Sequence, residues 1–337
     1  MDLAELDANN EGIFPDKALK LIKIVTIALG FLWVLDGALQ FQPTMYSHSN
    51  DGFVATVLQY NTMGPPNFLT NLIHFAVVFT YGTQLRTNIF NSLAGTFQIL
   101  IGVGIITKRF RKIALVASSI WAIVPWIVGE GMGQMPWPQT SMAFNGAPGA
   151  ALIYCVISLV LIPSNKRFIN QNQVEVAAAH LGFLGDNFVK AFWFLTWFGT
   201  ALLEFEPGNW APQAVSTLLK NSASGEPYLL YKIDLFVSHL AAGNGALIAG
   251  SMAFVQAWIG FAVTRSTTRR AAVILGIMVS VIYWVVGQNL GGIFTGTATD
   301  PQLGAPMLLL ALLLYPVKTQ QVNFGKKHSK VLVSATV

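Results

Sequence analysis

The chain has 337 residues, 53% of them hydrophobic and only 10% charged, against about 25% charged in a soluble domain. That balance excludes a water-soluble protein, and apolar runs recurring from end to end exclude a lone leader or anchor as their source. The net charge of +5 does not point to nucleic acid, because the basic residues gather in short junctions: Lys108 to Lys112, Lys166-Arg167, Arg265 to Arg270, and Lys326-Lys327 with Lys330. This is the pattern expected of cytoplasmic loops. The single cysteine, Cys155, allows neither a disulfide framework nor a cysteine metal cage.

Lipid leaves no water to satisfy backbone groups, so spanning segments must be helices or closed barrels. The runs lack a strand's period-two alternation, so helices are expected. Residues 1 to 16 are acidic and polar, with no cleavable signal visible. A first crossing is expected from about Leu21 to Gln40, ending at Pro43. On it Trp33, Asp36, Gly37 and Gln40 share one helical face. A loop punctuated by Asn, Gly and Pro runs from Thr44 to Asn67, with a short interfacial helix at Phe53 to Tyr60. Apolar segments follow at about 67–83, 89–106, 113–129 and 149–162. After a polar connector the second half replays the first: a helix at 187–205, a loop to about 226, then segments at 227–242, 247–263, 272–288 and 305–316.

The replay is visible residue by residue. Trp126-Ile127-Val128-Gly129-Glu130-Gly131-Met132-Gly133 returns 158 positions later as Trp284-Val285-Val286-Gly287-Gln288-Asn289-Leu290-Gly291, and Gly146-Ala147-Pro148 meets Gly304-Ala305-Pro306 at the same offset. Gln40-Phe41-Gln42-Pro43 answers to Glu204-Phe205-Glu206-Pro207, His74 to His239, and Gln98 with Gly102 to Gln256 with Gly260. The expected architecture is an all-α polytopic membrane protein. Residues 1–163 form a first helical repeat, 164–186 a connector, 187–317 a second repeat and 318–337 a polar cytoplasmic tail. Five crossings per half would invert the second copy and split the basic turns between the two sides. The reading is therefore of parallel repeats packed as a pseudo-twofold bundle, each with four full crossings and one shorter or broken segment.

Ionisable groups at hydrocarbon depth are costly unless paired, hydrated or neutral, which makes the polar set the best guide to function. Asp36, Glu130 and Glu204 are the candidates for proton or cation chemistry; the competing reading puts Glu130, Glu204 and Glu206 at helix ends near the headgroups. His74 and His239, if they face each other across the bundle, could hold a haem b iron or another metal. The competing reading is a pair of interhelical hydrogen bonds. Gln98 and Gln256 either bridge helices or bind a quinone carbonyl, and Trp126 and Trp284 either belong to an aromatic belt or wall a cofactor.

In layout, and in the stretches Trp126 to Gly133 and Trp284 to Gly291, the chain resembles a tandem fusion of the DoxX/DoxD group of small bacterial and archaeal membrane proteins. Some members of that group are subunits of a thiosulfate:quinone oxidoreductase. The resemblance implies a cytoplasmic-membrane redox component that exchanges electrons with quinone, working with a redox partner subunit or as a homo-oligomer. The residues leave two alternatives open: a transporter or channel for a small polar or ionic solute at the repeat interface, and a structural subunit of a membrane complex.

Overall fold

The computed structural model describes residues 16–48, 52–53, 66–134, 143–162, 175–176 and 184–317. The described chain is almost wholly helical. The first half holds α1 (Asp16–Leu39), α2 (Asn67–Tyr81), α3 (Gln84–Ile106), α4 (Arg111–Val124) and α5 (Ala150–Leu161). The second holds α6 (Gly185–Leu203), α7 (Ala214–Ser222), α8 (Tyr228–Ala241), α9 (Gly245–Ala262), α10 (Arg269–Val285) and α11 (Gly304–Leu314). A two-residue strand, β1 (Glu175–Val176), pairs antiparallel with β2 (Pro316–Val317), tying the connector to the end of α11. The helix expected at 53–60, most of the connector and the tail lie outside the described residues. The loop expected before residue 226 contains α7, a nine-residue helix that turns Val215, Ser216 and Leu219 inward and is too short to cross a membrane.

Four segments are long and apolar enough to cross a membrane: Lys17–Leu39, Gln84–Ile106, Arg111–Gly129 and Gly245–Ala262. The outward faces of the helices carry Phe31, Phe75, Leu93, Ile113, Ile120, Phe236, Leu247 and Phe254, all well exposed. Such a continuous apolar skin suits lipid and not water. Two helices behave differently. α5 and α11 are buried on nearly every side, and at 12 and 11 residues they extend only about 16–18 Å. They form the centre of the bundle, with α11 packed on α1, α5, α6 and α10.

The two halves pack in the same order. α1 lies on α3 as α6 lies on α9, and α4 lies on α5 as α10 lies on α11. Between α1 and α3 the backbones meet at glycines: a methyl at Gly37 would fall 2.6 Å from the Gly95 carbonyl oxygen, and one at Gly30 would fall 2.8 Å from that of Gly102. Small residues permit this approach, which brings dispersion forces between main chains to bear where lipid supplies no hydrophobic drive. Arg111 donates from Nε to the Ile105 carbonyl at 3.0 Å, and Arg269 donates to that of Val263 at 3.2 Å. Each guanidinium thus satisfies an open carbonyl at the end of the preceding helix.

The ends of α4 and α10 also follow one path. Glu130 N donates to the Pro125 carbonyl at 2.8 Å and Gln288 N to the Tyr283 carbonyl at 3.1 Å, a five-residue spacing that widens the last turn. The chain then enters left-handed backbone, with φ of 56° at both Met132 and Leu290. Bulky side chains there cost about 1–2 kcal/mol each.

The packing settles which ends lie together. α1 and α3 run antiparallel, and Lys17 at the start of α1 sits over the Tyr315 ring beyond α11. The basic turns before α4 and α10 therefore share one end of the bundle with Lys17. α2 packs on α3 and on the Pro125–Gly129 turn at the opposite end. An even set, α1, α3, α4 and α5, is left to run between the ends, so the first half returns the chain to the end where it began.

Candidate functional site

At the end away from the basic turns lies a cavity of about 90 Å³, lined by Trp33, Asp36, Gln40, Gln98, Glu130 and Tyr154 among others. Its wall is completed by Thr299 and Asp300 from the second half. An ordered water needs roughly 10–15 Å³ on this measure, so the space holds several waters or one small solute. α1 supplies Asp36 and Gln40 from the face that carries Trp33. The Tyr154 hydroxyl on α5 donates to Asp36 Oδ1 at 3.4 Å. Gln98, 7% exposed, leaves its side-chain oxygen buried without a hydrogen-bond partner.

Glu130 stands at the opening of α5, where its carboxylate accepts from Ala151 N at 3.1 Å. A carboxylate at a helix N-terminus satisfies an open N–H and faces the positive end of the helix dipole. Gln288 does the same in the second half, accepting from Gly304 N at 2.9 Å at the start of α11 and donating to the Ala143 carbonyl of the first half at 3.1 Å. The helix-end reading of Glu130 thus holds in position, but the end is turned into the protein and not toward headgroups.

Asp300 was not among the residues singled out from the sequence, and nor was Tyr154. Thr299 donates to Asp300 Oδ2 at 2.8 Å and Gln302 N to Oδ1 at 2.7 Å. Burial nevertheless holds this carboxyl above the ordinary aspartate range. Its loop is fastened to the first half by Gln42, which donates to the Ala298 carbonyl at 3.0 Å, and by Thr44, which donates to that of Gly296.

The matching place in the second half is nearly filled. A residual space of about 10 Å³ lies among Trp197, Thr200, Tyr283, Gln288 and their neighbours. Glu204 is fully buried at 0% exposure, against the headgroup reading, and accepts from Gln256 Nε2 at 2.8 Å. Gln256 also donates to the Tyr283 hydroxyl at 3.0 Å, so it bridges three helices.

The histidines do not assemble as a bis-histidyl site would require. α2 turns Leu69, Ile73 and Val77 inward, which leaves His74 exposed on the face of Phe75 and Phe79. α8 turns Asp234, Ser238 and Ala241 inward, which leaves His239 exposed beside Phe236 and Leu240. Neither ring lines either cavity. Among the described residues no group of three or more His, Cys, Asp or Glu is arranged to hold a metal ion. Trp126 and Trp284 are committed to carbonyls, donating to Pro148 at 2.9 Å and Pro301 at 2.7 Å. Trp33 and Trp197 are the indoles that face the cavities.

No protein-family model, curated protein or solved structure matches the chain. What the site can do is therefore read from its geometry: it presents acceptors and acids from both halves, and among the described residues no Lys, Arg or His stands on its wall.

Proposed function

We propose that this is an integral membrane protein of two duplicated, parallel halves that binds a small polar or ionic solute in the acidic cavity on its way across the bilayer. The observation that carries this reading is the shared construction of the cavity: Asp36 and Glu130 come from one half and Asp300 from the other. A relative shift of the halves would open or close it. Carboxyl groups near hydrocarbon cost several kcal/mol unless they are paired, hydrated or neutral, and a solute or protons bound among them would offset that cost. The cavity lies at the end opposite the basic turns, which puts it on the non-cytoplasmic side under the positive-inside rule.

A quinone in the same cavity, and with it the redox role suggested by the DoxX/DoxD resemblance, is less well supported. Quinone carbonyls only accept hydrogen bonds and would leave the Gln98 oxygen unpaired. The test is flux into proteoliposomes across a panel of inorganic cations, amines and neutral polyols. Gradient-driven uptake is expected, lost in Glu130→Gln and Asp36→Asn and kept in His74→Ala. Absence of flux for the whole panel, with correctly folded protein, would overturn the reading.

A further inference from the structure

We infer that the solute is a small organic cation with N–H donors, of the primary alkylammonium class of which methylammonium is the smallest. This rests on the solute-binding reading above and narrows it. Asp36, Glu130 and Asp300 put three carboxyl groups on the wall, and among the described residues no basic side chain lines it to neutralise them, so the complementary ligand is cationic. Beside them, Gln98 presents a buried side-chain oxygen that no protein group satisfies. A buried acceptor without a donor costs free energy, and a ligand that brings N–H groups removes that cost. A bare monovalent ion can be coordinated by the same oxygens, so the choice of an organic cation is carried by the apolar part of the wall. Gln40 and the Asp36 carboxylate add further acceptors on the same wall.

The apolar part of the wall fits the same ligand. Trp33 and Phe53 line the cavity, and an alkylammonium carries both a methyl group to pack on such rings and a charge that ring faces attract. The space of about 90 Å³ suits a cation of a few heavy atoms. In the second half the equivalent space is taken by the Tyr283 hydroxyl, which accepts from Gln256 Nε2. The Gln256 oxygen there is unpartnered as well, but no room for a ligand lies beside it, and it is the open space next to Gln98 that sets the first half apart.

The experiment measures binding to the purified full-length protein in detergent, by calorimetry and by thermal shift, with methylammonium, tetramethylammonium, sodium and potassium as chlorides. Methylammonium is expected to bind saturably and raise the unfolding temperature, while tetramethylammonium, equally charged but without N–H donors, does neither. Gln98→Leu is expected to weaken methylammonium by about tenfold, the worth of one charge-assisted hydrogen bond. Equal binding of tetramethylammonium, or stronger binding of sodium or potassium, would overturn the inference, and the wild-type comparison decides this even if the variant fails to fold. Flux of a different solute with no amine binding would sink the inference and leave the transport reading standing. Amine binding with no flux of any solute would do the reverse.

Discussion

Gln256 donates from Nε2 to Glu204 at 2.8 Å in the second half, while the corresponding Gln98 in the first half lines an open cavity; the side-chain oxygens of both glutamines are buried without a partner. The difference follows from one neighbour. Tyr283, whose hydroxyl takes the other Gln256 hydrogen, occupies the sequence position that Pro125 holds in the first half. A phenol fills the space there; a pyrrolidine ring leaves it free.

This asymmetry predicts unequal costs for the same substitution. Gln256→Leu strips the hydrogen bond from a fully buried Glu204 and should lower stability by about 1–3 kcal/mol, read as a drop in unfolding temperature in detergent. Gln98→Leu removes an oxygen that has no protein partner and should cost clearly less without ligand. Equal losses at the two positions would contradict the asymmetry.

Glu130 combines a cap with an ionisable carboxyl, and two substitutions separate them. Glu130→Gln keeps an oxygen for Ala151 N, as Gln288 does for Gly304 N in the other half, so the unfolding temperature should stay near that of the wild type while flux is lost. Glu130→Ala removes the cap as well and should cost about 0.5–2 kcal/mol. If the glutamine variant unfolds as early as the alanine variant, it is the carboxyl and not merely a capping oxygen that holds α5 in place.

Asp300 predicts a pH dependence of stability. Burial raises its pKa in the folded protein above the value in the unfolded chain, so the folded state holds the proton more tightly. The corresponding stability is fully present below the unfolded aspartate pKa and is lost as pH rises through the raised folded value. Asp300→Asn removes this contribution. Across that window the unfolding temperature of the variant should therefore fall less steeply with rising pH than that of the wild type. Parallel curves would show that the carboxyl is not held up in the fold.

Much of the frame was legible in the chain. The Trp-to-Gly stretches mark two turns that do take the same path, and the face bearing Trp33, Asp36 and Gln40 does line the cavity. The histidines misled because the outward faces of their helices are as apolar as a core, with Phe75 and Phe79 beside His74 and Phe236 and Leu240 beside His239. Periodicity cannot say which face of such a helix turns inward, and Ile73 rather than His74 does so. Asp300 and Tyr154 escaped for a different reason. Asp300 lies in a loop of the other half, with no spacing that ties it to Asp36, and Tyr154 stands in an apolar run where an aromatic reads as core. The reciprocal crossing of the loops, with Gln42 reaching Ala298 and Gln288 reaching Ala143, brings these residues of the two halves together.

The glycine contact between α1 and α3 fixes the width of the cavity, because Gly37 follows Asp36 directly and its helix carries one wall while Gln98 on α3 carries another. A methyl at Gly37 would lie 2.6 Å from the Gly95 carbonyl oxygen and 2.8 Å from Ile99 N, and both are main-chain atoms that cannot turn aside. Gly37→Ala must therefore push the helices apart, at about 1–3 kcal/mol, and should impair flux together with stability. Gly250 in α9 is the control: no atom lies within 4 Å of an added methyl there. Gly250→Ala should be neutral or stabilising by up to about 1 kcal/mol, through backbone entropy alone. Unfolding temperature and initial uptake rate, measured on both variants, check this. A Gly37→Ala protein with unchanged values for both would mean that the two backbones do not meet there.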